Sequence, residues 1–311
     1  MRTLVMTGGT RGLGLRTVEM VLARPDWRAI IIGRSFTPSP EIERLGKDRV
    51  EFIQADFSSL ASADAACDSV IAKVGPGGIA ALSLNAGLNS NLHADASKDG
   101  YEIHFAVNHL AHVLIADRLV PYVESEGRVV ITSSVTHDPE AFCLIGIERP
   151  EWQDPYLFAD PHKSQDYVKS GDLDRGEARY SVSKLCNVMH ARALAKEYPQ
   201  LSIVSFNPSV VPGTEIVRHR DALQKFLWRT VAPLLAPIIP GMRHLDQSAG
   251  DLAWLLCDAY LKPATGSYFD GRRPVPGSKD SRDPDKIEQV MRISRELVAR
   301  IVTRPTALAG G

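Results

Sequence analysis

Cysteine is scarce in this chain. Four residues, Cys67, Cys143, Cys186 and Cys257, are scattered without a CxxC pair, which removes the spacing of structural zinc sites and dithiol redox motifs. Free, mostly buried thiols are the expectation. Long apolar runs are missing too. No stretch approaches the roughly 20 apolar residues that a spanning helix needs, and the richest, 231–240, is broken by Pro233, Pro237 and Pro240. The apolar run at Met1 to Met6 is too short for a signal-peptide core and enters a glycine turn, not a small-residue cleavage site. Cytoplasm is the expected location. Charge of one sign is not in excess either: the net charge is -1, so no global field favours nucleic acid or an anionic membrane. Internal repeats and low-complexity segments are absent.

What is present is an ordinary globular composition, with 44% hydrophobic and 23% charged residues in 311 positions, enough to bury a large core. Short apolar runs alternate with longer helical patterns, as in βαβ units around a parallel sheet. The expected strands are 3–7, 29–33, 50–54, 80–84, 128–132, 202–207 and 266–269. Several are continuous β-branched or aliphatic runs, as required where helices cover both faces. Helical patterns occupy 13–23, 61–73, 101–123, 181–198 and 248–259, and an amphipathic helix at 283–303 closes the chain. Two segments break the rhythm: 137–176, polar and rich in Asp, Pro and Tyr, and 215–245, apolar and punctuated by proline. Neither has a linker's composition. The expectation is therefore one α/β domain, a Rossmann-type doubly wound sheet with an inserted loop (137–176) and a covering segment (215–245).

Thr7-Gly8-Gly9-Thr10-Arg11-Gly12-Leu13-Gly14 follows the first strand and opens the first helix. Glycines at such a turn let backbone approach a pyrophosphate, which then sits on amides at the helix N-terminus. The second strand ends Gly33-Arg34-Ser35, where an NAD enzyme of this fold carries an acidic side chain for the ribose hydroxyls. Arg34 would instead meet a 2′-phosphate, with Arg11 approaching from the other side. Two basic groups and no carboxylate favour NADPH/NADP+; two solvated surface arginines are the competing interpretation.

Tyr180 and Lys184 form a YxxxK pair, four residues apart and so on one helical face. A lysine cation beside a phenol is expected to lower the phenol pKa, which makes proton exchange with an alkoxide competent. Upstream, a strand ends in Ser133-Ser134, and Asn108 interrupts a long helical pattern.

The GxxxGxG spacing, Asn85-Ala86-Gly87 after the fourth strand, Asn108, Ser134, Tyr180 and Lys184 occur in an order that resembles the short-chain dehydrogenase/reductase family over roughly residues 1–270. The resemblance implies that Ser134 (with Ser133 as the adjacent alternative) polarises the substrate oxygen. Tyr180 would donate the proton, Lys184 would hold the nicotinamide ribose, and Asn108 would sit at a helix distortion with a relay water. For the cofactor it implies Gly8, Thr10, Arg11, Gly12, Leu13 and Gly14 at the pyrophosphate, and Asp56 and Phe57 at the adenine. Asn85, Ala86 and Gly87 would lie beside the ribose, and Pro208, Val210 and Thr214 after the sixth strand. The long gap from Ser134 to Tyr180, the Pro208-to-Thr214 segment and Ser183-Lys184-Leu185-Cys186-Asn187 resemble the branch of light-dependent protochlorophyllide reductases and related carbonyl reductases. Val210 stands where the pigment enzymes carry cysteine.

The expected function is thus an NADPH-dependent ketoreductase acting on a carbonyl or alcohol carbon of a bulky apolar, even polycyclic, small molecule. A protochlorophyllide-type C=C reductase and a non-enzymatic NADPH-binding regulator are the alternatives. Phe226, Leu227, Trp228, Leu234, Leu235, Ile238 and Ile239 fit a substrate lid. Nearby Arg218, Arg220, Lys225 and Arg229 leave peripheral membrane contact open, and both monomer and homo-oligomer are compatible with the sequence. His104, His109 and His112 share one helix, but no ligand on a facing element is placed to complete a metal site.

Overall fold

The computed structural model describes residues 1–89, 96–140, 152–162, 175–209, 211, 242–258, 260–261 and 264–302. Strands β1 (Arg2–Thr7), β2 (Trp27–Gly33), β3 (Val50–Gln54), β4 (Ile79–Leu84), β5 (Val123–Thr132), β6 (Ser202–Asn207), β7 (Tyr268–Asp270) and β8 (Arg273–Val275) form one sheet. Their order is β3-β2-β1-β4-β5-β6-β7-β8. All neighbours run parallel except the final β7–β8 pair. The order reverses between β1 and β4, and the crevice at that switch point lies beyond the carboxyl ends of the strands.

Period-two alternation divides the strand side chains between two cores. Val5, Ile30, Ile32, Leu82, Val129, Ile131 and Ile203 face one core. Leu4, Met6, Ile31, Val130, Val204 and Phe206 face the other. Helices α1 (Gly12–Leu22) and α8 (Leu245–Cys257) cover the second core, with the small helix α2 (Pro40–Gly46) at its margin. On the first pack α3 (Leu60–Val74), α4 (Ile103–Phe105), α5 (Ala111–Leu119), α6 (Pro155–Ala159), α7 (Arg175–Glu197) and α9 (Pro284–Ile301). The architecture is a single Rossmann-type domain. Cys67, Cys186 and Cys257 are buried thiols. Among the described residues no helix is long and apolar enough to cross a membrane.

Where elements differ from expectation, the causes are local. Strand β5 begins at Val123, because its first residues pair with Ile79 through a register shift. Helix α7 begins at Arg175, so Tyr180 lies inside the helix and not just ahead of it. Helix α2 and strand β8 are too short for a periodic signal, and β8 holds Pro274 at the sheet edge. Strand β7 is shorter than expected and ends at Asp270. The expected 101–123 helix is four pieces, α4, a wide π turn at Ala106–Leu110, α5 and a 3-10 turn at Val120–Tyr122. In the π turn the Ala111 amide bonds to the Ala106 carbonyl five residues back. Of the expected insertion, Val135–His137 forms a 3-10 turn and Pro155–Ala159 forms α6. Nearly all of the 215–245 segment lies outside the described residues.

Candidate active site

The glycine turn is shaped by what its side chains would hit. Gly8 has φ +69, and a Cβ there would lie 2.7 Å from the Ala86 Cα; at Gly14 a Cβ would lie 2.1 Å from the Gly8 carbonyl oxygen. The turn after β1 is therefore clamped against the Asn85-Ala86 turn after β4. Thr7 and Asn85 complete the clamp. The Thr7 hydroxyl oxygen accepts from the amides of Asn85 (2.9 Å) and Ala86 (3.0 Å). Asn85 Nδ2 reaches the carbonyls of Thr7 and Gly8, both at 3.4 Å, and its Oδ1 accepts from the Thr132 hydroxyl at 3.2 Å. Thr7 carries as much of this geometry as the glycines, yet nothing in a lone threonine at a strand end marks it in the sequence.

Helix α1 opens at Gly12 with no side-chain cap and no acidic residue in its first turn. Its first amides, on Gly12, Leu13 and Gly14, are oriented to receive an anion. Thr10 contacts the Gly33 backbone, since a Cβ on Gly33 would lie 3.1 Å from its methyl group. Arg11, in this turn, and Arg34, after the end of β2, are exposed, and among the described residues no carboxylate pairs with Arg34. Asp56 is bound locally: it accepts from the Ser58 amide (3.0 Å) and hydroxyl (2.8 Å) and pairs with Lys98 at 2.9 Å. Burial alone would raise its pKa, but Lys98 and Ser58 outweigh that and hold it low. Phe57 is buried, with its ring 6.1 Å from that of His112.

The YxxxK helix brings the chemistry to the same crevice. Lys184 is buried and its Nζ donates to the Thr132 carbonyl at 3.2 Å. It lies 5.4 Å from the centre of the Tyr180 ring. Gly87 faces it: a Cβ on Gly87 would sit 3.4 Å from both the Lys184 Nζ and the Asn108 Oδ1. The two serines separate cleanly. Ser133 donates to the Lys184 main-chain carbonyl at 2.7 Å, whereas Ser134 accepts from the Thr136 amide at 3.3 Å and is near enough to the Tyr180 phenol to lower its pKa. Asn108 lies in the π turn. Its Oδ1 accepts from the Leu88 amide (2.8 Å), and its Nδ2 donates to the Leu88 carbonyl (3.0 Å) and to the Ser183 hydroxyl (2.9 Å).

Electrostatics differ from the sequence expectation in one respect. Burial pushes the Tyr180 phenol up to about 12, and the hydrogen bond from Ser134 is what pulls it back. Lys184 is itself dehydrated, which lowers its pKa to about 8. The ammonium donates to the Thr132 carbonyl, and burial and Ser134 are what set the phenol pKa.

A buried cluster behind the phenol was invisible in the sequence. Glu102 caps α4 by accepting from the Phe105 amide (2.7 Å), accepts from His104 Nδ1 (2.7 Å), and lies 3.7 Å from Arg179. The histidines on this stretch are each spoken for, His109 by Asn187 and Ser294, and His112 by Thr7 and Asn108. Among the described residues no group of three His, Cys, Asp or Glu could hold a metal. Pro208 accepts from the Ser248 hydroxyl at 2.6 Å, next to Ser209 at φ 63. Val210 and Thr214 lie outside the described residues.

The sequence model of the short chain dehydrogenases matches residues 2–143, from β1 through the serine pair. The chain is thus similar to the short-chain dehydrogenase/reductase family. The match ends before Tyr180, but relatives extend across the rest. The short-chain dehydrogenase iccH of Talaromyces variabilis is 27% identical over 91% of this chain and 92% of its own length. Human retinol dehydrogenase 12 is 28% identical over 96% of this chain and 86% of its own. Among solved structures, the NADPH bound carbonyl reductase from chicken fatty liver superposes with a TM-score of 0.60 at 17% identity, covering 89% of this chain and 99% of the other. Likeness to that family marks this protein as an oxidoreductase that binds a nicotinamide cofactor. The cradle fits such a group, with uncapped amides at α1, a bare α-carbon at Gly87 and the Lys184 ammonium beside it.

Proposed function

We propose that this protein is an NADPH-dependent reductase that exchanges hydride with a carbonyl or alcohol carbon of a bulky apolar substrate. One cluster supports the reading: Ser134 is near enough to the Tyr180 phenol to lower its pKa, and Lys184 lies beside the same ring while meeting Asn108 at the Gly87 α-carbon. When bound, the nicotinamide supplies or accepts the hydride. Arg34 selects the phosphorylated cofactor by charge-assisted bonds to the 2′-phosphate, and the α1 amides hold the pyrophosphate.

Ser134 and Tyr180 both reach the substrate oxygen. As the oxygen gains negative charge, the Tyr180 hydroxyl gives up its proton and the product alcohol forms. A phenol with pKa near 12 is a weak acid toward most groups but a sufficient one toward an alkoxide. The resulting phenolate is neutralised from Lys184, whose pKa of about 8 makes it a proton donor near neutrality. The separation between ammonium and ring is one that a single water can bridge. Asn108 keeps Leu88 and Ser183 in place while this happens. The apolar composition of the 215–245 segment and the likeness to a retinol dehydrogenase support a large, oily substrate.

The test is Tyr180→Phe, which removes the transferable proton and keeps the ring. Turnover of a panel of bulky ketones, followed by NADPH oxidation, is expected to fall about 10²–10⁴-fold with cofactor affinity retained. Unchanged turnover would mean that the phenol is not the proton donor.

A further inference from the structure

One buried ring between the glycine turn and the YxxxK helix takes no direct part in this chemistry. His112 is fully buried on α5, one turn beyond Asn108. Its Nδ1 lies 3.0 Å from the Asn108 main-chain oxygen, and its Nε2 lies 3.0 Å from the Thr7 hydroxyl oxygen. A carbonyl offers only lone pairs, so Nδ1 carries the proton. Burial holds the ring neutral and lowers its pKa to about 3, with the Lys184 and His109 charges adding to the effect. Nε2 is then a lone pair that must accept, and Thr7 must donate. The other acceptor open to Thr7, the Ser83 carbonyl, is farther away at 3.4 Å.

One tautomer thus sets the direction of a whole series of bonds. With its proton given to His112, the Thr7 oxygen is left to accept the Asn85 and Ala86 amides, which hold the cofactor-side turn. At the other edge the ring grips the residue whose side chain fixes Leu88 and Ser183, and Ser183 donates to the Tyr180 carbonyl at 2.6 Å. The path from the end of β1 to the phenol-bearing residue is continuous. Imidazole suits the position because it is rigid and presents a donor and an acceptor on different edges.

We infer that His112 is a positioning residue that registers the dinucleotide turn against the proton-transfer helix by holding Thr7 and Asn108 to a single ring. The inference rests on the proposed reading of the site as a cofactor-binding, proton-transferring crevice, and it adds a residue that touches neither cofactor nor substrate. It also predicts an asymmetry. An asparagine can imitate Nδ1 toward the Asn108 carbonyl but is too short to reach Thr7 as well.

Nitrogen-15 NMR of the full chain with labelled histidine reads the tautomer without any turnover. A neutral ring with the proton on Nδ1 is expected throughout roughly pH 5–8; an Nε2-protonated ring, or one that titrates in that range, overturns the inference. In parallel, NADPH affinity is measured by fluorescence titration and kcat by NADPH oxidation for His112→Phe and His112→Asn. His112→Phe is expected to lose about tenfold in both, and His112→Asn to recover kcat more than affinity. A merely structural role would lower the melting temperature and leave both constants of the folded protein unchanged, which also overturns the inference. Should His112→Phe not fold, the His112→Asn split and the tautomer decide. Failure of the functional reading is distinguishable, because it would appear in the unaltered protein as no binding of either nicotinamide nucleotide.

Discussion

The α-carbon of Gly87 and the ammonium of Lys184 face each other across a gap that one methyl group would close to 3.4 Å. That separation is ordinary van der Waals contact, so Gly87→Ala is expected to fold with stability changed by less than about 1 kcal/mol. The methyl would nevertheless occupy the face offered to the cofactor, and affinity for nicotinamide nucleotides should fall about tenfold or more. Gly14→Ala should behave in the opposite way. Its Cβ would meet the Gly8 carbonyl oxygen at 2.1 Å, forcing the turn apart at a cost of about 1–3 kcal/mol. Calorimetry and nucleotide titration of both variants check the pair, and loss of folding in Gly87→Ala would contradict the assignment.

In the proposed reading, cofactor choice depends on Arg34. It is exposed at the end of β2, and among the described residues no carboxylate pairs with it. Arg34→Ala should weaken NADPH binding about 10–100-fold while NADH binding changes little, because the charge-assisted contacts it removes are made only to the extra phosphate. Dissociation constants for the two nucleotides provide the comparison. Equal losses would show that the arginine does not touch that phosphate.

Stability should depend on pH through Lys184. Burial lowers its folded pKa from 10.5 to about 8, so between those values the folded chain binds fewer protons at this site than the unfolded chain. Stability contributed by this residue therefore rises with pH from about 8 to 10.5 and is lowest below 8, where a charge must be kept buried. The difference corresponds to about 3 kcal/mol. Lys184→Met should flatten that rise and be more stable than the unaltered protein at pH 7, though inactive. Urea denaturation at a series of pH values measures it, and parallel pH curves for the two proteins would contradict the burial argument.

Behind the phenol, Glu102 should matter more to folding than its distance from any substrate suggests. It is 1% exposed and faces both His104 and Arg179. Glu102→Gln removes a buried carboxylate that faces both His104 and Arg179, and losing the hydrogen bonds to such a charged group costs about 1–3 kcal/mol. Because Arg179 adjoins Tyr180 on α7, turnover should fall in the fraction that folds. A stability change below about 1 kcal/mol would mean that Arg179 has other compensation.

Much of this site was readable from residue types alone because its chemistry depends on local spacing. Tyr180 and Lys184 share a helical face whatever surrounds them, and a strand followed by Gly8, Gly12 and Gly14 and then a helix makes a phosphate turn by backbone geometry. Asn108 fell at a helix distortion, and the structure has a π turn there. What was not readable depends on contacts between distant segments. No rule of spacing pairs Thr7 with His112 across 105 positions, or Glu102 with Arg179. Helix α7 began earlier than its polar leading residues suggested.

The sequence by itself determined the layered βαβ order, the two-core alternation of the strands and the identity of the groups that can bind phosphate or move a proton, because each follows from short-range covalent geometry and periodicity. Only the tertiary structure decided which of Ser133 and Ser134 meets the phenol, how strongly dehydration moves the Tyr180 and Lys184 pKa values in opposite directions, and which tautomer His112 adopts. Those properties are set by burial and by partners brought together from far along the chain, and neither exists until the sheet has closed.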